Sequence, residues 1–98
     1  MSYSHLISIC IPSYNRPKEL LSLLESVDSK KHDQIQIVIC EDKSPKRNEI
    51  KRSVGSFKEK TSYNVKYLEN LQNLGYDKNL RELIHNSDGE YILFMGDD

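Results

Sequence analysis

The sequence predicts an α/β fold, a three-layer sandwich built on a mainly parallel sheet with strand order 3-2-1-4. Three observations lead there. Apolar runs of strand length alternate with segments whose apolar residues recur at helical spacing, the pattern of parallel strands joined by right-handed crossovers. The runs Leu6–Ile11 and Tyr91–Met95 are almost uninterrupted, which suits strands covered on both faces. Each strand except the outermost delivers a polar loop to the same sheet edge: Pro12–Arg16, Glu41–Lys43 and Gly96–Asp98. In open α/β sheets ligands collect at that edge, at the point where strand order reverses.

In chain order, Leu6–Ile11 forms strand 1, and Pro12 is expected to end it because proline cannot donate to a ladder. Pro17 fits the first position of a helix, with Asn15 or Arg16 before it as cap. Leu20, Leu23, Leu24 and Val27 recur at helical spacing, so this helix should run to about Asp28, with Lys30 and Lys31 near its carboxyl end. Strand 2 covers Gln34–Cys40, with Ile35, Ile37 and Ile39 on one face and Val38 and Cys40 on the other. Ser44 as cap and Pro45 at the first position then open a helix whose narrow apolar face is Ile50, Val54 and Phe57. Tyr63–Leu68 is a short alternating strand suited to the outer position of the sheet. After the polar loop Asn70–Tyr76, a third helix carries Leu80, Leu83 and Ile84, and the turn Asn86–Gly89 leads into strand 4.

Ninety-eight residues bound this to one domain, 1–98. A hydrophobic content of 37% with 30% charged residues is ordinary for a soluble globular chain. The net charge of −1 argues against a nucleic-acid partner. No run approaches a membrane-spanning length. Cys10 and Cys40 fall inside strands as small buried hydrophobes, and no disulfide is expected between them.

Gly55–Thr61 superficially resembles a phosphate-cradling loop, but it lacks the second glycine and follows a helix rather than a strand. G-x-G-x-x-G is absent. The three histidines are scattered and read as surface or helix-end residues. Asp97-Asp98 is sharper. Following an apolar strand at the ligand edge, the pair offers hard oxygen donors suited to Mg²⁺ or Mn²⁺ with phosphate oxygens and waters beside them. Asp42 has the equivalent place after strand 2, with a turn role beside Ser44 as the alternative. Tyr14 could stack on a base or simply pack.

Taken together, Ser8–Pro17, Val38–Ser44, Asn70–Gly75 and Gly89–Asp98 make the chain resemble a family-2 glycosyltransferase of GT-A fold, in its amino-terminal, nucleotide-binding, Rossmann-like half. The resemblance implies that Pro12, Ser13 and Tyr14, with Asn15 and Arg16, pack on the base and ribose of a nucleotide-sugar donor. It implies that Asp42 hydrogen-bonds the base, uracil being favoured, that Asn73 and Gly75 lie near the nucleotide, and that Asp98, with Asp97 as neighbour, holds a divalent metal. Two positions depart from the family pattern. Gly96 replaces the first acid of D-x-D, and Leu80-Arg81 stands where an Arg-Asn pair is usual, leaving Lys78 or Arg81 as substitutes.

The implied reaction is transfer of a sugar, from a UDP-sugar by preference, to the hydroxyl of a saccharide or glycolipid acceptor with inversion. Its general base would lie downstream, so that this chain is expected to be truncated at its metal-binding motif and not competent alone. Such a chain would work in the cytoplasm, at the inner membrane face in the full-length protein. Strand 4, as an apolar edge, would be prone to self-association. Two rivals fare worse. A nucleotidyltransferase needs a glycine-rich loop after strand 1, and a receiver-like or scaffolding module needs acids where strand 1 ends in Pro12-Ser13.

Overall fold

The computed structural model describes residues 3–96. Its elements are β1 (His5–Ser13), α1 (Pro17–Ser26), β2 (Ile35–Glu41), α2 (Arg47–Lys60), β3 (Asn64–Glu69), α3 (Tyr76–His85) and β4 (Gly89–Phe94), with a 3-10 turn at His32–Gln34. The sheet has the order β3-β2-β1-β4, and all three pairings are parallel. The expected architecture is therefore the observed one.

Side-chain alternation along the central strands divides the core in two. Ile9, Ile11, Ile37 and Ile39 face α1 and α2, where they meet Leu20, Leu24, Ile50 and Val54. Cys10, Val38 and Cys40 face α3 and meet Leu83. All seven residues of β2 are buried. Ile84, counted on the apolar face of α3 from spacing alone, is instead 46% exposed.

Four expectations change. Pro12 does not end β1, which pairs on to Ser13. The Cys10 carbonyl accepts from Met95 N and the Ser13 carbonyl from Asp42 N. Alternate residues thus face β4 and β2, and Pro12 falls on the β4 side beyond the last paired residue, where no donor is needed. Helix α1 stops at Ser26. Val27 keeps its place against the core but in extended conformation, φ −70° and ψ 118°. Its burial, not a helix, explains its spacing, and Lys30 and Lys31 lie past the helix end.

Helix α2 starts at Arg47, not at Pro45. The Ser44 N–H is taken by the Glu41 carboxylate at 3.0 and 3.2 Å. Arg47 N then donates to the Ser44 carbonyl at 3.2 Å, closing a β-turn with Pro45 at its second position. Finally, β4 is not covered on both faces. It pairs with β1 alone, and Tyr91, Ile92, Leu93 and Phe94 are 39–63% exposed.

The start of β4 is nevertheless tightly set. Gly89 N donates to Ser8 Oγ (2.8 Å), Ser8 Oγ donates to Gln36 Oε1 (2.7 Å), and Asp88 N donates to the same oxygen (3.1 Å). These bonds tie three strands with buried polar groups that are all satisfied. A Cβ on Gly89 would overlap Ser8 N and stand 2.7 Å from the Ile7 carbonyl carbon. Gly89→Ala should therefore destabilise the chain by about 2–3 kcal/mol in urea unfolding, since backbone, unlike a flexible side chain, cannot yield. An unchanged midpoint would show that β4 docks more loosely than this.

Cys10 and Cys40 are unbonded and buried. Burial, reinforced by Glu82, Asp42 and Glu41, pushes the Cys40 thiol from its ordinary 9.0 up to about 12, and burial raises Cys10 as well. At pH 8 the Cys40 thiolate fraction is then about one in ten thousand. The folded chain should resist a thiol reagent at pH 8 and react at both cysteines once unfolded. The raised thiol contributes stability that is complete below pH 9 and lost as pH climbs toward 12. Rapid labelling of the folded protein would contradict the burial.

Candidate functional site

The ligand edge of the sheet carries a cleft of about 500 Å³. Its walls come from four places: the end of β1 and its loop (Pro12, Ser13, Tyr14, Arg16), Asp42 after β2, the segment around the start of α3 (Asn73, Gly75, Tyr76, Asn79), and Gly96 after β4.

Asp42 joins these walls. Its N–H donates to the Ser13 carbonyl at 3.0 Å, locking the β1 and β2 ends together. Its carboxylate is only 4% exposed and accepts three hydrogen bonds. Leu74 N (2.8 Å) and Asn70 Nδ2 (2.9 Å) donate to Oδ1, and Gly75 N (2.9 Å) donates to Oδ2. Asn73 Nδ2 donates to the Asp42 carbonyl at 2.9 Å. A carboxylate has about four acceptor positions, so about one stays open, on Oδ2. Anchoring the 70–75 loop is thus a role that sequence reading left undivided between base contact and turn.

A second amide closes the framework. Asn79, 2% exposed, donates through Nδ2 to the Cys40 carbonyl (3.0 Å) and accepts Asn70 Nδ2 on Oδ1 (2.8 Å). Asn70 N in turn donates to the Glu41 carbonyl at 2.9 Å. Helix α3 is thereby held against the β2 end. Gly75, at the helix cap with φ 87°, adopts a backbone that a side chain would strain.

Left-handed backbone also occurs at Asn15 (φ 59°) and Lys43 (φ 55°). Asparagine tolerates this conformation better than most residues, which suits the sharp exit from β1. Two polar atoms near the cleft are buried with no hydrogen-bond partner: Ser13 Oγ, on a residue 1% exposed, and Asn15 Oδ1. Tyr14 is the opposite, half exposed at 50%.

Of the residues expected in the site, Pro12, Ser13, Tyr14, Arg16, Asp42, Asn73 and Gly75 line one cleft. Asn15 stands behind it. Lys78 and Arg81 are exposed, and neither lines it. The reason is helical geometry: from Gly75 the cleft side of α3 runs through Tyr76 and Asn79. Asp97 and Asp98 lie outside the described residues, and Gly96 beside them is in the wall. Sequence reading placed Gly96 at this edge and missed Tyr76 and Asn79. Only Asn79 left a signal, as a polar residue four positions before the buried Leu83 on the core-facing side.

This arrangement is a known one. The model of the family "Glycosyl transferase family 2" matches residues 8–98. The chain belongs to glycosyl transferase family 2. It is 29% identical over 93 residues to the abequosyltransferase RfbV of Salmonella typhimurium, covering 95% of this chain and 28% of that protein. An uncharacterized glycosyltransferase of Haemophilus influenzae is 30% identical over 93 residues, with 95% and 29% covered. This family 2 chain thus spans under a third of the length of these relatives.

Among solved structures, the mannosyltransferase PcManGT from Pyrobaculum calidifontis, in complex with GDP-Man and Mn²⁺, superposes with a TM-score of 0.87 at 16% identity. That match covers 99% of this chain and 28% of PcManGT. S. aureus TarS 1-349 in complex with UDP gives 0.73 at 23% identity, over 95% and 27%. Both likenesses establish the GT-A fold of this family 2 domain.

Asp42→Ala removes three acceptor contacts and leaves the Leu74 and Gly75 N–H groups without a partner. Unfolding stability should fall by about 2–4 kcal/mol, and the 70–75 loop should become the first site of limited proteolysis. Wild-type stability and protection would remove the anchoring role.

Proposed function

We propose that this chain is the donor-binding portion of an inverting, metal-dependent glycosyltransferase that takes its sugar from a nucleoside diphosphate, UDP before the others. The observation that carries the reading is the convergence of Ser13, Tyr14, Asp42 and the 70–75 loop on one cleft whose wall includes Gly96, which Asp97-Asp98 follows in the sequence. Two structural neighbours support a nucleotide there: TarS 1-349 in complex with UDP-GlcNAc and PcManGT in complex with GDP-Man and Mn²⁺. Because these two differ in base, the fold alone leaves the base open.

Residues of this chain divide the binding work. Tyr14, half exposed at the rim, offers a ring face to the base. Asp42 Oδ2 offers its open acceptor position to an imide N–H such as that of uracil. Ser13 Oγ, without a partner among the described residues, offers a hydrogen bond to the nucleoside and would gain one itself. No group of three or more His, Cys, Asp or Glu side chains among the described residues could hold a metal ion. The candidates are the two carboxylates Asp97 and Asp98, whose hard oxygens match Mg²⁺ or Mn²⁺. Such an ion, when bound, supplies Lewis-acid neutralisation of the diphosphate leaving group.

Transfer to a saccharide or glycolipid hydroxyl with inversion also needs a general base on the acceptor side of the anomeric carbon. In this reading the base belongs to the part of the protein that the relatives have beyond this segment, and residues 1–98 bind donor without turning it over. No helix among the described residues is long and apolar enough to cross a membrane. A cytoplasmic site of action, facing the inner membrane leaflet, goes with the proposal.

The test is calorimetric titration of the chain with UDP, GDP, CDP and ADP, each with Mn²⁺ and again with chelator. UDP should bind most tightly, and chelator should weaken it at least tenfold. A folded chain that binds no nucleotide, or binds all four equally without metal, would overturn the donor reading.

A further inference from the structure

The net charge of −1 conceals a strong asymmetry. Residues 43–60 hold seven basic and two acidic side chains, a net of +5. The other 80 residues hold seven basic and thirteen acidic ones. All seven cations of the segment are exposed. Among the described residues the only ion pair joins His5 and Asp88, so none of the seven is neutralised by a neighbouring carboxylate.

Their placement is not that of an ordinary solvated helix. Helix α2 turns Ile50 and Val54 into the core, and Arg47, Lys51 and Lys58 follow at i, i+4 and i+11, one line along its flank. Glu49 and Glu59 fall off that line. Lys58 sits in the last turn, where the helix dipole favours a cation. Lys46, at the cap, and Arg47, at the first helical position, sit where the dipole opposes one. Helix stability does not call for them. Lys43 carries the stripe past the helix start to the residue beside cleft-lining Asp42.

We infer that this stripe is a docking surface for an anionic lipid bilayer, with its Lys43 end beside the cleft. A row of cations on a rigid helix complements a planar array of negative headgroups, and each lysine or arginine near such a surface strengthens binding roughly fivefold. The segment's one aromatic residue, Phe57, packs against the core, so it has no exposed ring on which nucleic-acid bases could stack. The inference is argued from charge and geometry, extends the membrane-facing placement proposed above, and is tested without donor, so its failure leaves the donor reading untouched.

The experiment is co-sedimentation of the chain with phosphatidylcholine vesicles, with and without phosphatidylglycerol, at low and high salt. Binding should require phosphatidylglycerol and fall as salt rises. The triple variant Arg47→Glu, Lys51→Glu, Lys58→Glu should bind roughly a hundredfold more weakly or worse. A control with the same change of charge elsewhere, Lys18→Glu, Lys30→Glu, Lys31→Glu, should keep most of the binding. Circular dichroism of both variants should match the parent, since every altered side chain is exposed. No binding to anionic vesicles, equal binding without phosphatidylglycerol, or equal loss in the control overturns the inference. Tighter binding to an oligonucleotide, lost in the same triple variant, assigns the stripe to nucleic acid and also overturns it.

Discussion

The site depends on one buried carboxylate. Asp42 stands at the end of a strand whose seven residues are all buried, and it holds by its backbone to Ser13 and by its side chain to the loop before α3. Without it, the Leu74 and Gly75 N–H groups would face a buried space with no acceptor, at a cost larger than a surface turn could offset. The loop takes its shape because an acceptor was placed for it. Asn70 and Asn79 extend this logic, each amide using its oxygen and its nitrogen on different partners. The cleft is therefore built before any ligand arrives, which lowers the ordering that binding must supply.

Most of the fold was legible because burial leaves a periodic trace. Alternation in Ile35–Cys40 gave both faces of β2, and the run of strands and helices gave the order 3-2-1-4. Errors arose where local rules met a tertiary partner. Ser44-Pro45 has the chemistry of a helix start, yet Ser44 Oγ caps no N–H among the described residues, and a β-turn closed by Arg47 N puts the helix start two residues later. Val27 has helical spacing, yet reaches the core from an extended backbone. Pro12 is barred from a ladder only on its N–H side, and that side faces past the end of the β1–β4 pairing. The core behind Val27 and the sheet edge beside Pro12 cannot be read from a window of sequence, whereas the turn at Ser44 is local, with Glu41 three residues before it.

The cleft was legible in a different way. Its β1 loop and Asp42 could be placed by topology, because parallel strands deliver their ends to one edge. Residues that act through side-chain hydrogen bonds left less trace. Asn79 differs from a solvated helix asparagine only in sharing a face with Leu83, and Lys78 has the charge but the wrong face. Net charge describes the whole chain and not its distribution. A net of −1 argues against a nucleic-acid partner most directly when charge is evenly spread, and residues 43–60 depart from that.

β4 shows how far one strand can be fixed on one side and open on the other. Its first residue has no room for a methyl group, and the Ser8–Gln36 bonds leave its register no freedom. Three residues later Ile92, Leu93 and Phe94 present apolar surface to solvent. Exposed apolar area of this kind raises the free energy of the isolated segment, by about 25 cal/mol for each Å² left uncovered. An unpaired strand edge adds backbone donors and acceptors that another strand can satisfy. Both forces act in the same direction and on the same residues. They favour whatever extends the sheet beyond β4, and they do so at the strand that carries Gly96 into the cleft wall. A partner strand at this edge would therefore act on the strand that leads into the cleft wall.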